Sequence, residues 1–259
     1  MAAAKKKSNG EKYHVPNLDR ALSILELLSR NPRGMIKNEI AEALSISPNS
    51  VYRITMTLIN RGYLEHNDRT RKLRLTKKMM DLCVSAVDDR SIIDKAWDTM
   101  VALRDETTET VHLETIIGHE GVVLEEVESL HSLRLTVDAG TRFELHVASP
   151  GKAMLAFLDE KKRERIIKKM KFTRFTENTI TDLKKFRAEL QRTRKQGYGV
   201  DRAECLPGIR CVSAPIIHPR DGVVAAITVS APEARISESK IKQYGKMVMR
   251  CAAQISEKL

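Results

Sequence analysis

No run of about 18 apolar residues occurs, so no segment is expected to span a membrane. The opening residues MAAAKKKSNGEK are basic with no apolar stretch behind them. Residues 1–14 are therefore expected to form a flexible basic arm rather than a secretory signal. Cysteine is scarce: Cys83, Cys205, Cys211 and Cys251 contain no CxxC pair. That usage argues against a disulfide framework and a structural zinc, and fits a reducing cytoplasm. The histidines are scattered without an HExxH spacing, and the chain has no P-loop, GxGxxG or GxSxG. Neither a metal nor a cofactor is expected, and no common enzyme motif is present. Nor does an aromatic pair fall on an expected sheet, which argues against an RNA-stacking surface.

What the chain does have is positive charge, unevenly placed. Of the net +11, residues 1–80 hold 16 Lys and Arg against 7 Asp and Glu, while the remaining 179 residues are close to balanced. A charge asymmetry of this kind suggests a polyanionic partner for the first third alone. The 259 residues suffice for two domains.

The basic third has its own pattern. Leu18, Leu22, Leu25 and Leu28 recur at helical spacing after Asn17, a plausible N-cap, and the helix should end before Asn31-Pro32. KNEIAEAL gives a second helix with Ile40, Ala41 and Leu44 on one face. Ser47 then caps a third helix, with Pro48 at its first position, where a missing N–H costs nothing. Val51, Ile54 and Leu58, with Ile59 beside them, form its buried face, and Gly62 ends it. YLEHNDRTRKLRLT reads as two short strands about an Asn-Asp turn, carrying Arg69, Arg71, Lys72 and Arg74.

Helix, turn, helix and basic hairpin form a winged helix-turn-helix, expected over residues 15–77. Asn49, Ser50 and Arg53 lie off the apolar face near the start of the third helix, where they can meet base edges in a major groove. Tyr52 and Thr57 are placed to reach phosphates, the capping Ser47 is counted with them among the DNA-binding residues, and the wing cations reach an adjacent backbone or minor groove. The expected partner is double-stranded DNA.

Residues 78–108 read as a helical linker, with Ser91 capping the second of two helices. Met79, Met80, Leu82, Cys83, Val84 and Val87 make an apolar stripe broader than a small domain needs. The stripe is expected to be a homodimer seam, matching a palindromic operator.

From residue 109 the period changes. VHLETII, GVVLEEVES, LRLTVDA, GVDRAE, IRCVSAPIIH and VVAAITVSAP read as strands, with a turn at Pro219–Gly222. GKAMLAFLDEKKRERIIKKM, DLKKFRAELQRTRKQG and the stretch after Ser237 read as helices. The expectation for 109–259 is one α+β domain, so the chain as a whole is α/β in two domains. His112 and Glu114 alternate on one strand and are read as a surface pair.

Carried by VPNLDRALSILELL, IAEALSIS, SVYRITMTLINRGYLE, SPGKAMLA, GYGVDRAECLPGIRCVSAPI and VVAAITVSAP, the sequence resembles the IclR family of bacterial transcriptional regulators. The resemblance covers nearly the whole chain after the arm. It implies a GAF-like effector domain in which a small molecule, often a carboxylate or aromatic acid, alters operator binding, and a dimer or dimer of dimers on DNA in the bacterial cytoplasm. It also implies that the ligand is held by backbone N–H groups of the Ser149-Pro150-Gly151 loop and by Asp201, Cys211, Thr228 and Ser230, with Phe143 and Ile209 as an apolar wall.

Two departures from the family pattern stand out. Pro150 offers no N–H. Ile217-His218-Pro219-Arg220 replaces the aromatic and Asp or Asn usual after Ala214-Pro215-Ile216. Two alternatives use the same stretch: a redox sensor through Cys205 and Cys211, or a cysteine-dependent enzyme. No His falls between residues 197 and 216 to serve as base, so Asp201 and Cys211 read better as ligand contacts, with Glu204 a structural partner.

Overall fold

The computed structural model describes residues 15–79 and 92–259, which fall into two compact units. The arm, the cap at Ser91 and the stripe from Met80 to Val87 lie outside the described residues.

In the first unit, helix α1 runs Pro16–Ser29. It begins earlier than the Asn17 cap implied: Val15 is the extended cap residue, and Pro16, pre-set for the first turn, follows it. The buried stripe turns toward Ala21, Ile24 and Leu28, leaving Leu18 and Leu22, which share the helical spacing, exposed on its rim. Helix α2 (Lys37–Leu44) is closed by Ser45 in the left-handed region. Helix α3 (Pro48–Asn60) opens with the Ser47 hydroxyl accepting from the Ser50 N–H at 3.3 Å, and Gly62 follows its end at φ +77°. Val51, Ile54 and Leu58 are buried as expected, while Ile59 is half-buried. Strands β1 (Leu64–His66) and β2 (Leu73–Leu75) pair antiparallel, Leu64 opposite Leu75, with Leu64 and Leu73 in the core.

The second unit opens with α4 (Ile92–Thr107), whose Ala96, Met100 and Leu103 join this unit's core. A six-stranded antiparallel sheet follows, in the order β5-β4-β3-β8-β7-β6. The strands are β3 (Thr110–Ile117), β4 (Glu120–Val127), β5 (Arg142–Glu144), β6 (Gly199–Arg202), β7 (Ile209–His218) and β8 (Gly222–Pro232). Its helices are α5 (Ser149–Phe157), α6 (Glu160–Ile167), α7 (Leu183–Gln196) and α8 (Glu238–Ser256).

The period-2 alternation sorts the sheet into two faces. Val111, Leu113, Val200, Val212, Ala214, Ile227 and Val229 all point into one core with α4 and α8. Their alternates, His112, Glu114, Asp201, Cys211, Ser213, Thr228 and Ser230, point to the side occupied by α5. The register aligns them in rows: His112 opposite Thr228 opposite Ser213, and Asp201 opposite Cys211 opposite Ser230.

Two expectations for this unit are corrected. LRLTVDA is not a strand, although it alternates. Its backbone is met by side chains instead: Leu135 C=O accepts from the Thr110 hydroxyl at 2.9 Å, and Val137 N–H donates to Glu126 Oε2 at 2.6 Å. The third strand is the short β5. The long helix after Ser149 is two helices, because Leu158 is extended and Asp159 caps α6 by accepting from Lys162 N–H at 2.9 Å. The divergent turn at 217–222 forms cleanly, with His218 Nδ1 accepting from the N–H groups of Arg220 (3.2 Å) and Asp221 (3.1 Å).

Candidate nucleic-acid interface and effector cavity

In the first unit, α3 turns Val51, Ile54 and Leu58 inward, so Asn49, Tyr52, Arg53 and Thr57 stand exposed and Ser50 half-buried. The Ser47 and Ser50 hydroxyls meet at 2.9 Å, which fixes the first turn. Thr57 donates back to the Arg53 carbonyl at 2.9 Å, and Lys37 sits 4.7 Å above the Tyr52 ring. In the wing, Arg69 and Arg71 are exposed and Lys72 half-buried. Asn67 shapes the turn by accepting from Thr70 N–H at 2.9 Å. Arg74 folds back, its Nε donating to the Arg33 carbonyl at 3.3 Å.

In the second unit, a cavity of about 240 Å³ lies between the polar face of the sheet and the first turn of α5. It brings together Phe143, Ser149, Asp201, Ile209, Cys211, Thr228 and Ser230. Gly151 does not line it: a Cβ there would strike the Leu145 backbone, so this glycine lets α5 approach the preceding loop. Gly199 plays the matching part from the sheet, where a Cβ would strike the Ser149 carbonyl. Val123, Leu135, Val137 and Leu206 complete an apolar wall.

His112 and Glu114, expected at the surface, are buried and line the cavity. Their strand is paired on both sides, and its polar face is covered. The available signal was their alternation with Val111 and Leu113 on a strand that reads as central.

The polar groups are linked. Ser149 Oγ lies 2.5 Å from Ser213 Oγ, which lies 2.7 Å from Thr228 Oγ1, which donates to Glu114 Oε2 at 2.8 Å. A second chain runs from Ser230 Oγ to His112 Nδ1 (3.2 Å), and from His112 Nε2 to Glu126 Oε2 (2.9 Å). Asp201 Oδ1 accepts from Glu204 N–H at 2.7 Å, and Glu204 in turn takes the buried Lys152 ammonium at 2.5 Å. Glu204 is thus a structural partner, as expected for a stretch without a histidine base.

Burial pushes Glu114 up to about 7, against the opposing pull of His112 and the Thr228 hydrogen bond. Burial likewise raises Asp201 to about 7, against the field of Lys152 and the Glu204 N–H. The thiols move the wrong way for a nucleophile or a redox sensor. Burial, reinforced by Asp201, drives Cys205 to about 11 and Cys211 well above the usual thiol range.

A winged helix-turn-helix and a separate domain with a half-open cavity of polar and apolar lining, in one chain, define a DNA-binding transcriptional regulator with a ligand-binding domain. Two family models match: the "IclR helix-turn-helix domain" over residues 17–68 and the "Bacterial transcriptional regulator IclR C-terminal" over 84–257. The chain belongs to the IclR family. It is 30% identical over 239 residues to the HTH-type transcriptional regulator BhcR of Paracoccus denitrificans, covering 92% of this chain and 85% of that protein. The crystal structure of the Thermotoga maritima IclR is 31% identical with a TM-score of 0.65, covering 95% of this chain and 99% of that one. An IclR homologue from Microbacterium hydrocarbonoxydans, complexed with 4-hydroxybenzoate, shares the fold at 19% identity and a TM-score of 0.78, covering 93% and 98%. Among the described residues, no helix is long and apolar enough to cross a membrane.

Proposed function

We propose that a small carboxylate binds in the cavity at the N-terminus of α5 and that its occupancy changes operator affinity. The observation that carries this reading is the convergence of a helix N-terminus, which favours anions, with a cluster of buried hydroxyls and an apolar wall. The cavity is smaller than the ~300–1,000 Å³ of drug-sized sites, which suits a single ring or short chain. The 4-hydroxybenzoate held by the Microbacterium homologue is of that class.

The ligand's carboxylate meets the Ser149 hydroxyl and the N–H of Ser149, while Gly151 acts only by letting α5 pack closely. Asp201, Cys211, Thr228 and Ser230 take its other polar atoms, and Phe143 and Ile209 its apolar body. With no N–H at Pro150, the Ser149 hydroxyl carries more of the recognition. In ligand titrations followed by thermal shift, Asp201→Asn and Cys211→Ala each change the response to aromatic and aliphatic monocarboxylates. An unchanged titration in both variants removes the cavity assignment.

Residues 15–77 read the operator and 109–259 sense the ligand, joined by 78–108. Asn49, Ser50 and Arg53 face base edges. Ser47, Tyr52 and Thr57 face phosphates, and Arg69, Arg71 and Lys72 follow the adjacent backbone. The protein acts as a homodimer or dimer of dimers on a palindromic site in the bacterial cytoplasm, and as a regulator rather than an enzyme. Arg53→Ala is expected to weaken operator binding roughly 5- to 150-fold, with the sensory domain still folded. Fluorescence anisotropy across a salt series checks this, and full retained affinity would refute the placement of α3.

A further inference from the structure

The hydroxyl chain that ends on Glu114 has a direction, and the direction depends on one proton. A carboxylate can only accept, so with Glu114 ionised Thr228 must donate to it. Each hydroxyl carries a single proton. Ser213 must then donate to Thr228, and Ser149 to Ser213, leaving Ser149 only lone pairs to offer the cavity. Ser230 is occupied in the same way by His112, whose other nitrogen serves Glu126. In this state the first turn of α5 faces an incoming carboxylate with a hydroxyl turned the wrong way and a buried negative charge three bonds behind it. Protonated Glu114 can instead donate to Thr228. The whole chain then reverses, and the Ser149 O–H is released toward the cavity.

We propose that Glu114 sets the charge state of the site: a carboxylate ligand is bound together with one proton, which Glu114 takes up while the Thr228–Ser213–Ser149 chain reverses to point at the ligand. This inference rests on the carboxylate reading above. The groups facing Glu114 are His112 on its own strand, with Glu126 of β4 behind it, Arg142 of β5, Asp201 of β6, Cys211 of β7 and Cys205 of the 203–208 loop, while β8 presents only hydroxyls. From α5, Lys152 is committed to Glu204 and the Val200 carbonyl. Asp201 is the competing proton acceptor, because burial places it in the same range as Glu114. Its Oδ1 is held by the Glu204 N–H and lies outside the hydroxyl chain.

The test is isothermal titration calorimetry of the full chain with benzoate, 4-hydroxybenzoate, propionate and 2-oxobutyrate, in buffers of different ionisation enthalpy. For those that bind, the wild type should take up about one proton near pH 8 and almost none near pH 5.5, with affinity falling about tenfold between pH 6 and 8. Glu114→Gln, whose NH2 can donate to Thr228 at every pH, should bind with no proton uptake and a flat pH profile, and more tightly than the wild type near pH 8. Asp201→Asn should keep the proton uptake, whatever its affinity. Uptake that persists in Glu114→Gln or vanishes in Asp201→Asn would overturn the inference and leave the carboxylate reading standing. No binding by any probe at either pH would overturn both. A readout independent of ligand is the infrared band of a protonated carboxyl in the free protein, present near pH 6, reduced near pH 8 and diminished in Glu114→Gln. A band unchanged by that substitution also overturns the inference.

Discussion

Replacing Lys152 with methionine is expected to destabilise the sensory domain by about 3–5 kcal/mol. Lys152 is wholly buried on α5, and its ammonium donates to Glu204 Oε1 at 2.5 Å and to the Val200 carbonyl at 2.8 Å. Removing the cation leaves the Glu204 carboxylate buried, with Oε2 already lacking a hydrogen-bond partner and burial already raising its pKa. An uncompensated buried charge, not lost packing, sets the size of the loss. The double variant Lys152→Met with Glu204→Leu should therefore recover most of it, since a buried ion pair replaced by apolar groups is often neutral. Urea unfolding followed by a probe in the sensory domain measures both. A loss below about 1 kcal/mol for the single variant would mean that Glu204 reaches water or a proton readily.

The second large effect is on pH. Burial raises Glu114 from 4.5 to about 7 and Asp201 from 3.8 to about 7. A raised folded pKa means that the folded state holds the proton more tightly than the unfolded chain. That contribution to stability is fully present below the unfolded pKa and is lost as pH rises through about 7. Stability of the sensory domain should therefore fall between about pH 5 and pH 8, opposite to the trend for salt-bridged carboxylates. Glu114→Gln should remove its share, raising stability at pH 8 by on the order of 3 kcal/mol while changing little at pH 4. Thermal melts of both proteins across that range decide the matter. Parallel curves for wild type and variant would show that Glu114 ionises freely in the fold.

Much of this architecture is legible from residue spacing. Ser47-Pro48 announces α3 because a hydroxyl cap and a missing N–H both suit a first turn, and the Asn-Asp turn with its flanking leucines announces the wing. The alternation in IRCVSAPIIH and VVAAITVSAP separates the core face from the face bearing Cys211, Thr228 and Ser230. What alternation cannot convey is which face a helix will cover. His112 and Glu114 read as a solvated pair until α5 is laid across them. The break at Leu158 was hidden because KAMLAFLDEKKRER has good helix formers on both sides of it, and Asp159 acts by capping the second piece. Leu18 and Leu22 extend an apolar stripe in sequence, but Ile24 and Leu28 hold the helix face that the small core can reach.

LRLTVDA misleads for a different reason, and one with further reach. It supplies Leu135 and Val137 to the cavity roof, yet its backbone leans on Thr110 and Glu126 rather than on a neighbouring strand. Its near end is pinned by Arg235, which forks onto Glu109 and also donates to the Leu133 carbonyl at 3.2 Å. A roof hung from a few side chains carries no ladder register to preserve. Its residues can drift through substitution, insertion or deletion while the sheet beneath keeps its order. Chains sharing this scaffold can thus acquire new chemical tastes by rewriting the roof, leaving the polar floor of the sheet intact.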